Sequence, residues 1–236
     1  MKPLLIAHRC GPDIYPEQSI ASARHALSQG ADMVEMDVRY TRDGAPVICH
    51  DPNTARVFGV DRCCCDMTLR EFMALRYAVD GNCSAHSLED VLRTDIRPLL
   101  LHCKISGELL KDLVGRVLAF DAGEACVFGV LRVDDVDIIK SIRPDLKVLA
   151  FIPRKQDLGR FLESRAEIIR LWEGWVTGDR IQAIHRAGKR LWVMSGQPTE
   201  GRVGYTTEAS LRGWVRLGVD GILVNDVRWT REILRA

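Results

Sequence analysis

The sequence predicts an α/β fold, a single (β/α)8 TIM barrel over residues 1–236. Three observations carry that reading. Short apolar runs rich in β-formers alternate with amphipathic helical segments, the pattern of a parallel sheet with helical crossovers. Eight such runs occur, the number that closes a barrel. The length of 236 residues is close to the roughly 250 that such a barrel needs as one unit.

The strands are expected at 4–8 (LLIAH), 33–38 (MVEMDV), 99–104 (LLLHCK) and 126–130 (CVFGV), then at 147–152 (KVLAFI), 167–172 (EIIRLW), 190–195 (RLWVMS) and 221–225 (GILVN). Helices are expected at 17–29, 87–93, 107–120, 134–142, 156–164, 178–187 and 207–217. In the segment 178–187, Ile181, Ile184 and Ala187 share one face. Gly30, Gly188 and Gly218 follow three of these helices, where a left-handed residue stops the helix. The run 46–50 (PVICH) follows the second strand across Thr41-Arg42-Asp43-Gly44, too soon for a parallel crossover. It is therefore read as the return of a short extra hairpin at the C-terminal mouth. The mouth insertion covers about 40–86, with a helix at 68–76 and no clear strand of its own after residue 52. No linker or low-complexity stretch divides the chain.

The balance of 33 basic against 32 acidic residues leaves a net charge of +1 and no electrostatic footprint for nucleic acid. A mean hydropathy of −0.05 and the lack of an 18-residue apolar run predict no transmembrane segment and a cytoplasmic location. The sequence leaves the oligomeric state open. Its eight cysteines have no paired C-x-x-C spacing, and a chain of this size buries enough core without disulfides. Cys49, Cys103 and Cys126 read as small strand hydrophobes. Cys63, Cys64, Cys65, Cys83 and His86 supply soft ligands for a zinc site, but their spacing matches no structural-zinc pattern.

In such a barrel the working face is the C-terminal end of the strands. His8-Arg9 ends the first strand, and Glu35 and Asp37, two apart, project to one face of the second. His50-Asp51 ends the hairpin return, and His102 and Lys104 share a face of the third barrel strand. Two buried carboxylates side by side repel unless a cation lies between them. That argues for a divalent metal at Glu35 and Asp37; ion pairing with Arg9 and Lys104 alone is the metal-free alternative. Two imidazoles beside the carboxylates suit general acid and base work near neutral pH. Arg9 and Lys104 suit an anion such as phosphate. Together these point to phosphoryl chemistry. Trp172, Trp175 and Trp192 fall at or just beyond strand ends, where a tryptophan lines the mouth or packs in the core. His25, His86 and His185 fall in helices or loops and read as surface residues.

The strings AHRCGPDIYPEQSI and VEMDVRYTRDGAPVICHD resemble the glycerophosphodiester phosphodiesterase family, within the phosphatidylinositol-specific phospholipase C-like barrels. That family carries H-R, P-E-N, E-x-D, T-x-D-G and H-D. Here His8-Arg9, Pro16-Glu17, Glu35, Asp37, Thr41, Asp43-Gly44 and His50-Asp51 match them. The resemblance is strong over residues 4–105. It implies one divalent ion, Mg²⁺ or Ca²⁺, on Glu35 and Asp37. It also implies His8 and His50 as the acid–base pair, Arg9 on phosphate, and Glu17 and Asp51 as supports behind them. The implied reaction is hydrolysis of a small-molecule glycerophosphodiester to an alcohol and glycerol phosphate, a step of lipid metabolism, with a cyclic phosphate formed when a neighbouring substrate hydroxyl attacks first.

Three departures stand out. The family's E-x-K, whose Glu is the third metal ligand, is here His102-x-Lys104, which favours Mn²⁺, Co²⁺ or Zn²⁺ if His102 ligates. P-E-N becomes Pro16-Glu17-Gln18, and a late W-T-x-N becomes Met194-Ser195-Gly196-Gln197. The leaving alcohol stays open: a lysophospholipid or a sugar or opine phosphodiester is the enzymatic alternative, and a non-catalytic anion-binding barrel the other.

Overall fold

The structure is a computed structural model and describes residues 2–235. Its strands are β1 (Leu4–Ala7), β2 (Met33–Tyr40), β3 (Pro46–Ile48), β4 (Arg76–Tyr77), β5 (Asp80–Ser84), β6 (Leu99–Cys103), β7 (Cys126–Val130), β8 (Lys147–Phe151), β9 (Ile168–Trp172), β10 (Arg190–Met194) and β11 (Gly221–Val224). Among the described residues, eight of these form a parallel ring in the order β1-β11-β10-β9-β8-β7-β6-β2. The β1–β2 pairing, with Ile6 opposite Met33, closes it. The eight predicted barrel strands are therefore present, as is the extra ribbon: β3 pairs antiparallel with β2, Val38 opposite Ile48.

Alternation along each strand sorts side chains into two cores. Ile6, Leu100, Leu149, Ile168, Trp192 and Leu223 fill the barrel interior. Leu5, Val34, Leu101, Phe128, Ile169 and Ile222 face the helices. Those helices are α1 (Ile20–Ser28), α2 (Ala55–Phe58), α3 (Leu69–Met73), α4 (Leu88–Leu92), α5 (Glu108–Ala119), α6 (Val133–Ile142), α7 (Leu158–Glu163), α8 (Gly178–Arg186), α9 (Glu208–Leu217) and α10 (Val227–Arg235). Gly30, Gly188 and Gly218 take the left-handed conformation expected of them. No helix of the described residues is long and apolar enough to cross a membrane.

Four differences from expectation bear on the architecture. The first helix starts at Ile20, not 17, because Ser19 caps it by accepting from the Ser22 amide, while Gln18 is left-handed. The helix expected over 68–76 keeps its Thr68–Glu71 capping box but ends at Met73, where the chain turns into β4. The mouth insertion thus has a strand pair of its own, β4–β5, with Tyr77 opposite Asp80. Its polar residues hid it from a period-2 reading. The last barrel helix, α10, was not anticipated. Its Arg231 reaches the Gly30 carbonyl and lies 2.8 Å from Asp32, fastening the chain end under the barrel.

The insertion also carries a small core. Phe58, Phe72 and Tyr77 meet with ring centroids 5.8 and 4.7 Å apart, beside buried Cys49, Cys64 and Met67. All eight cysteines are free thiols. The soft ligands considered for zinc do not converge as a set: Cys63, Cys65 and Asp66 lie close together, without Cys83 or His86, while Cys64 packs in the small core. His25 and His86 are half-buried rather than on the surface, and His185 is exposed.

Candidate active site

The site is built on strand ends. After β1 the chain turns sharply, with Arg9 and Cys10 both left-handed (φ 49° and 69°). For non-glycine residues this conformation costs about 1–2 kcal/mol each. Hydrogen bonds hold it: the Arg9 amide donates to Glu35 Oε2 at 2.7 Å, and the Gln18 amide donates to the Arg9 carbonyl at 3.0 Å. This turn presents His8 at the mouth. Alternation on β2 puts Glu35 and Asp37 on one inward face, both buried. Gln18 clasps Asp37 from two sides, its Nε2 donating to Oδ2 at 2.5 Å and its Oε1 accepting from the Asp37 amide at 3.1 Å.

From β6, His102 brings Nδ1 to 2.9 Å from Asp37 Oδ1 and 3.7 Å from Glu35 Oε1. Lys104 Nζ stands 3.0 Å from the same Asp37 oxygen. Neither approach is aligned as a hydrogen bond, so Asp37 Oδ1 is buried without a bonded partner, as is His102 Nε2. Burial pulls the Asp37 carboxyl up, but Lys104 and then His102 outweigh it and hold it well below the usual carboxylate range.

Behind His50, Nδ1 lies 2.7 Å from Asp51 Oδ1. Arg56 then links Asp51 (2.5 Å) to Glu17 (2.7 and 2.9 Å), and Arg9 approaches Glu17 at 3.5 Å. Burial lowers the pKa of both His8 and His50, so both imidazoles favour the neutral form. His8 Nδ1 lies 2.8 Å from Asn225 Oδ1, and Asn225 Nδ2 donates to the Val203 carbonyl at 3.1 Å. That second bond orients the amide, so Nδ1 of His8 carries the hydrogen and Nε2 keeps the lone pair.

Of the residues expected from sequence, His8, Arg9, Glu35, Asp37, His50, His102 and Lys104 line one pocket of 280 Å³. Glu17 and Asp51 stand behind it, joined through Arg56. Trp172 lines the same pocket, whereas Trp175 packs on the outer core and Trp192 is buried inside the barrel.

Sequence reasoning missed Asn225, Arg56, Phe151 and Arg170. Phe151 stacks on the His102 ring at 3.8 Å with 14° between planes. It reaches there because Gly129 opposite has no side chain; a Cβ at 129 would lie 2.2 Å from Phe151 Cε2. Arg170 lies against the Phe151 and Trp172 rings, 4.9 and 4.4 Å from their centroids. Burial lowers its pKa to about 9, with Glu35 countering in part. A lone arginine between Ile169 and Leu171, in step with inward-facing Ile168 and Trp172, was the available signal.

Donor atoms of Glu35, Asp37 and His102 lie within 4.8 Å of one another. With Asp37 Oδ1 buried without a bonded partner and His102 Nδ1 2.9 Å from it, these residues fit a divalent ion. The mixed set of two carboxylates and an imidazole suits Mn²⁺, Co²⁺ or Zn²⁺ better than an all-oxygen ion.

Known proteins resemble this chain in part and in whole. Over 75 residues it is 40% identical to a glycerophosphodiester phosphodiesterase of Caldanaerobacter subterraneus, covering 32% of this chain and 31% of that protein. It is 37% identical over 75 residues to glycerophosphodiester phosphodiesterase 1 of Rattus norvegicus, covering 32% of this chain and 23% of the rat protein. The match therefore spans less than a third of either relative. The fold matches over the whole length: a phosphodiesterase of Oleispira antarctica, solved in complex with the product sn-glycerol-3-phosphate, superposes with TM-score 0.80 at 18% identity, covering 100% of this chain and 98% of that one. The family model of glycerophosphoryl diester phosphodiesterases matches residues 8–136, more than half of the sequence and every residue of the mouth motif, and the chain belongs to that family.

Proposed function

We propose that the chain hydrolyses a glycerophosphodiester to an alcohol and glycerol phosphate, with His8 and His50 as the acid–base pair. The observation that carries this reading is the convergence of two burial-neutralised imidazoles on the pocket that holds Glu35, Asp37 and His102. Asn225 and Asp51 each hold an Nδ1, which leaves Nε2 of each ring for proton transfer. One neutral imidazole takes the proton of the attacking hydroxyl, and the other, once it has taken up a proton from solvent, delivers it to the departing alkoxide. Lys104 and Arg9 supply positive charge where the phosphoryl oxygens gather it. A divalent ion on Glu35, Asp37 and His102 would add Lewis-acid polarisation of a phosphoryl oxygen.

The reading is tested with metal-stripped protein on glycerophosphocholine and bis(p-nitrophenyl) phosphate, with Mg²⁺, Ca²⁺, Mn²⁺, Co²⁺ or Zn²⁺ added back singly. Activity restored by a metal and abolished in Glu35→Ala, His8→Ala and His50→Ala supports it. Anion binding without turnover under every metal points instead to a non-catalytic barrel.

A further inference from the structure

The other cations at this mouth already face acids. Lys104 lies 3.0 Å from Asp37, Arg9 faces Glu17, and Arg56 bridges Glu17 and Asp51. Arg170 differs. Its side chain is buried and lines the pocket, yet Nε and Nη1 have no hydrogen-bond acceptor, and among the described residues no carboxylate lies within ion-pair distance. A desolvated guanidinium without a partner is costly, and here it lies against two aromatic rings, Phe151 and Trp172. Contact with the rings engages the cation without consuming its N–H donors, and the unbonded Nε and Nη1 remain for an oxyanion.

Its place in the ring is equally specific. β9 is four strands from β2 in either direction, so Arg170 stands diametrically across the barrel from Glu35 and Asp37. A group bound in the 280 Å³ pocket lies between the carboxylates on one wall and this guanidinium on the other.

We propose that Arg170 is a substrate-binding residue that grips a non-bridging phosphoryl oxygen from the wall opposite Glu35 and Asp37, and holds the dianionic phosphomonoester product more tightly than the monoanionic diester. The inference rests on the phosphodiesterase reading for its choice of ligand. It makes this side chain a contributor to product inhibition, because the monoester offers the guanidinium a second negative charge that the diester lacks.

The test measures binding of inorganic phosphate and sn-glycerol 3-phosphate by calorimetry, to chelator-stripped protein and again with Mn²⁺ present. Wild type is compared with Arg170→Met, which fills the slot between the rings without charge, and with Arg170→Gln should the Met variant fail to fold. Loss of charge-assisted hydrogen bonds weakens both anions by about 10- to 100-fold in each metal state. The inhibition constant of glycerol 3-phosphate rises in parallel, and Mn²⁺ affinity stays within about threefold. Unchanged anion affinity in a folded variant overturns the proposal, as does a wild type that binds neither anion in either metal state. An arginine that serves only as a distant counter-charge to Glu35 shifts Mn²⁺ affinity and leaves anion affinity alone, which also overturns it. Wild type that binds glycerol 3-phosphate through Arg170 but cleaves no diester with any metal removes the hydrolase reading and keeps this one. Hydrolysis with product inhibition unaltered in Arg170→Met does the reverse.

Discussion

Asn225→Leu isolates what orients His8. The substitution keeps the approximate size of the side chain and removes the Oδ1 that lies 2.8 Å from His8 Nδ1. One neutral hydrogen bond is worth about 1 kcal/mol net, roughly fivefold in rate. Its loss also frees the ring to rotate and exchange tautomers, and misplacement of a reacting group by about 1 Å costs up to about 100-fold. A fall in kcat/KM of about 10- to 100-fold is therefore expected.

The pH profile supplies a second readout with a definite sign. Burial lowers the His8 pKa, and the Asn225 bond is one of the contacts that raise it again. Removing that bond lowers the pKa further, so the limb of the kcat/KM profile set by His8 moves to lower pH. The direction is the same whether His8 acts as base, on the rising limb, or as acid, on the falling one. The assay is kcat/KM for glycerophosphocholine from pH 5 to 9 with the activating metal, alongside metal affinity and thermal midpoint. Gly204→Ala gives an independent route to the same end, because a Cβ there would lie 2.2 Å from the Asn225 carboxamide carbon at a left-handed backbone. Full activity and an unmoved limb in a folded Asn225→Leu enzyme would refute the claim that Asn225 positions His8.

Three other perturbations have worked-out outcomes. His102→Glu restores an all-oxygen ligand set and raises Mg²⁺ or Ca²⁺ affinity relative to Mn²⁺ and Zn²⁺ by about tenfold or more, read by direct metal titration. Gly129→Ala drives Phe151 off the His102 and Arg170 faces it stacks on, and denaturant melts should show a loss of about 1–3 kcal/mol, the usual cost of overpacking. Arg56→Met removes the contact that, against their own burial, keeps the pKa values of Glu17 and Asp51 low. A carboxyl with a depressed folded pKa stabilises above its unfolded value of about 4 and loses that contribution as pH falls through the folded one. Arg56 is half-exposed, so the destabilisation at pH 7 is held to about 0.5–1 kcal/mol. It should fade in acid melts as the pH falls through the lowered folded values of these two carboxyls.

The legible part of the site was the part that is local in sequence. His8-Arg9, Glu35-x-Asp37, His50-Asp51 and His102-x-Lys104 each lie at one strand end, where alternation alone says which side chains share a face. The barrel was legible for the same reason, since its interior and exterior cores each follow a strand period. What escaped depends on closure. Asn225 meets His8 only because β11 pairs with β1 across the whole chain length, and Arg170 faces Glu35 only because the ring brings its sixth strand around opposite its second. The β4–β5 pair escaped differently: Asp80, Gly81 and Asn82 read as a turn, and the small core beneath them is assembled from Phe58, Phe72 and Tyr77 on three separate elements.

His102 is best understood with the side chains around it. Relative to a glutamate at this position the imidazole removes one negative charge from a wall that already holds Lys104, and Phe151 covers one of its faces. That cover exists only because Gly129 makes room for it, and the same phenyl ring is one of the two that clamp Arg170. These positions form a single packed unit: glycine admits the ring, and the ring stacks on the imidazole and lies against the guanidinium. A histidine that merely replaced a lost ligand would need no such slot. The unit shifts the pocket toward positive charge at both walls. A phosphoryl group entering between them meets Lys104 and Arg9 on the acidic side and Arg170 facing it, an arrangement whose attraction grows with each negative charge the ligand carries.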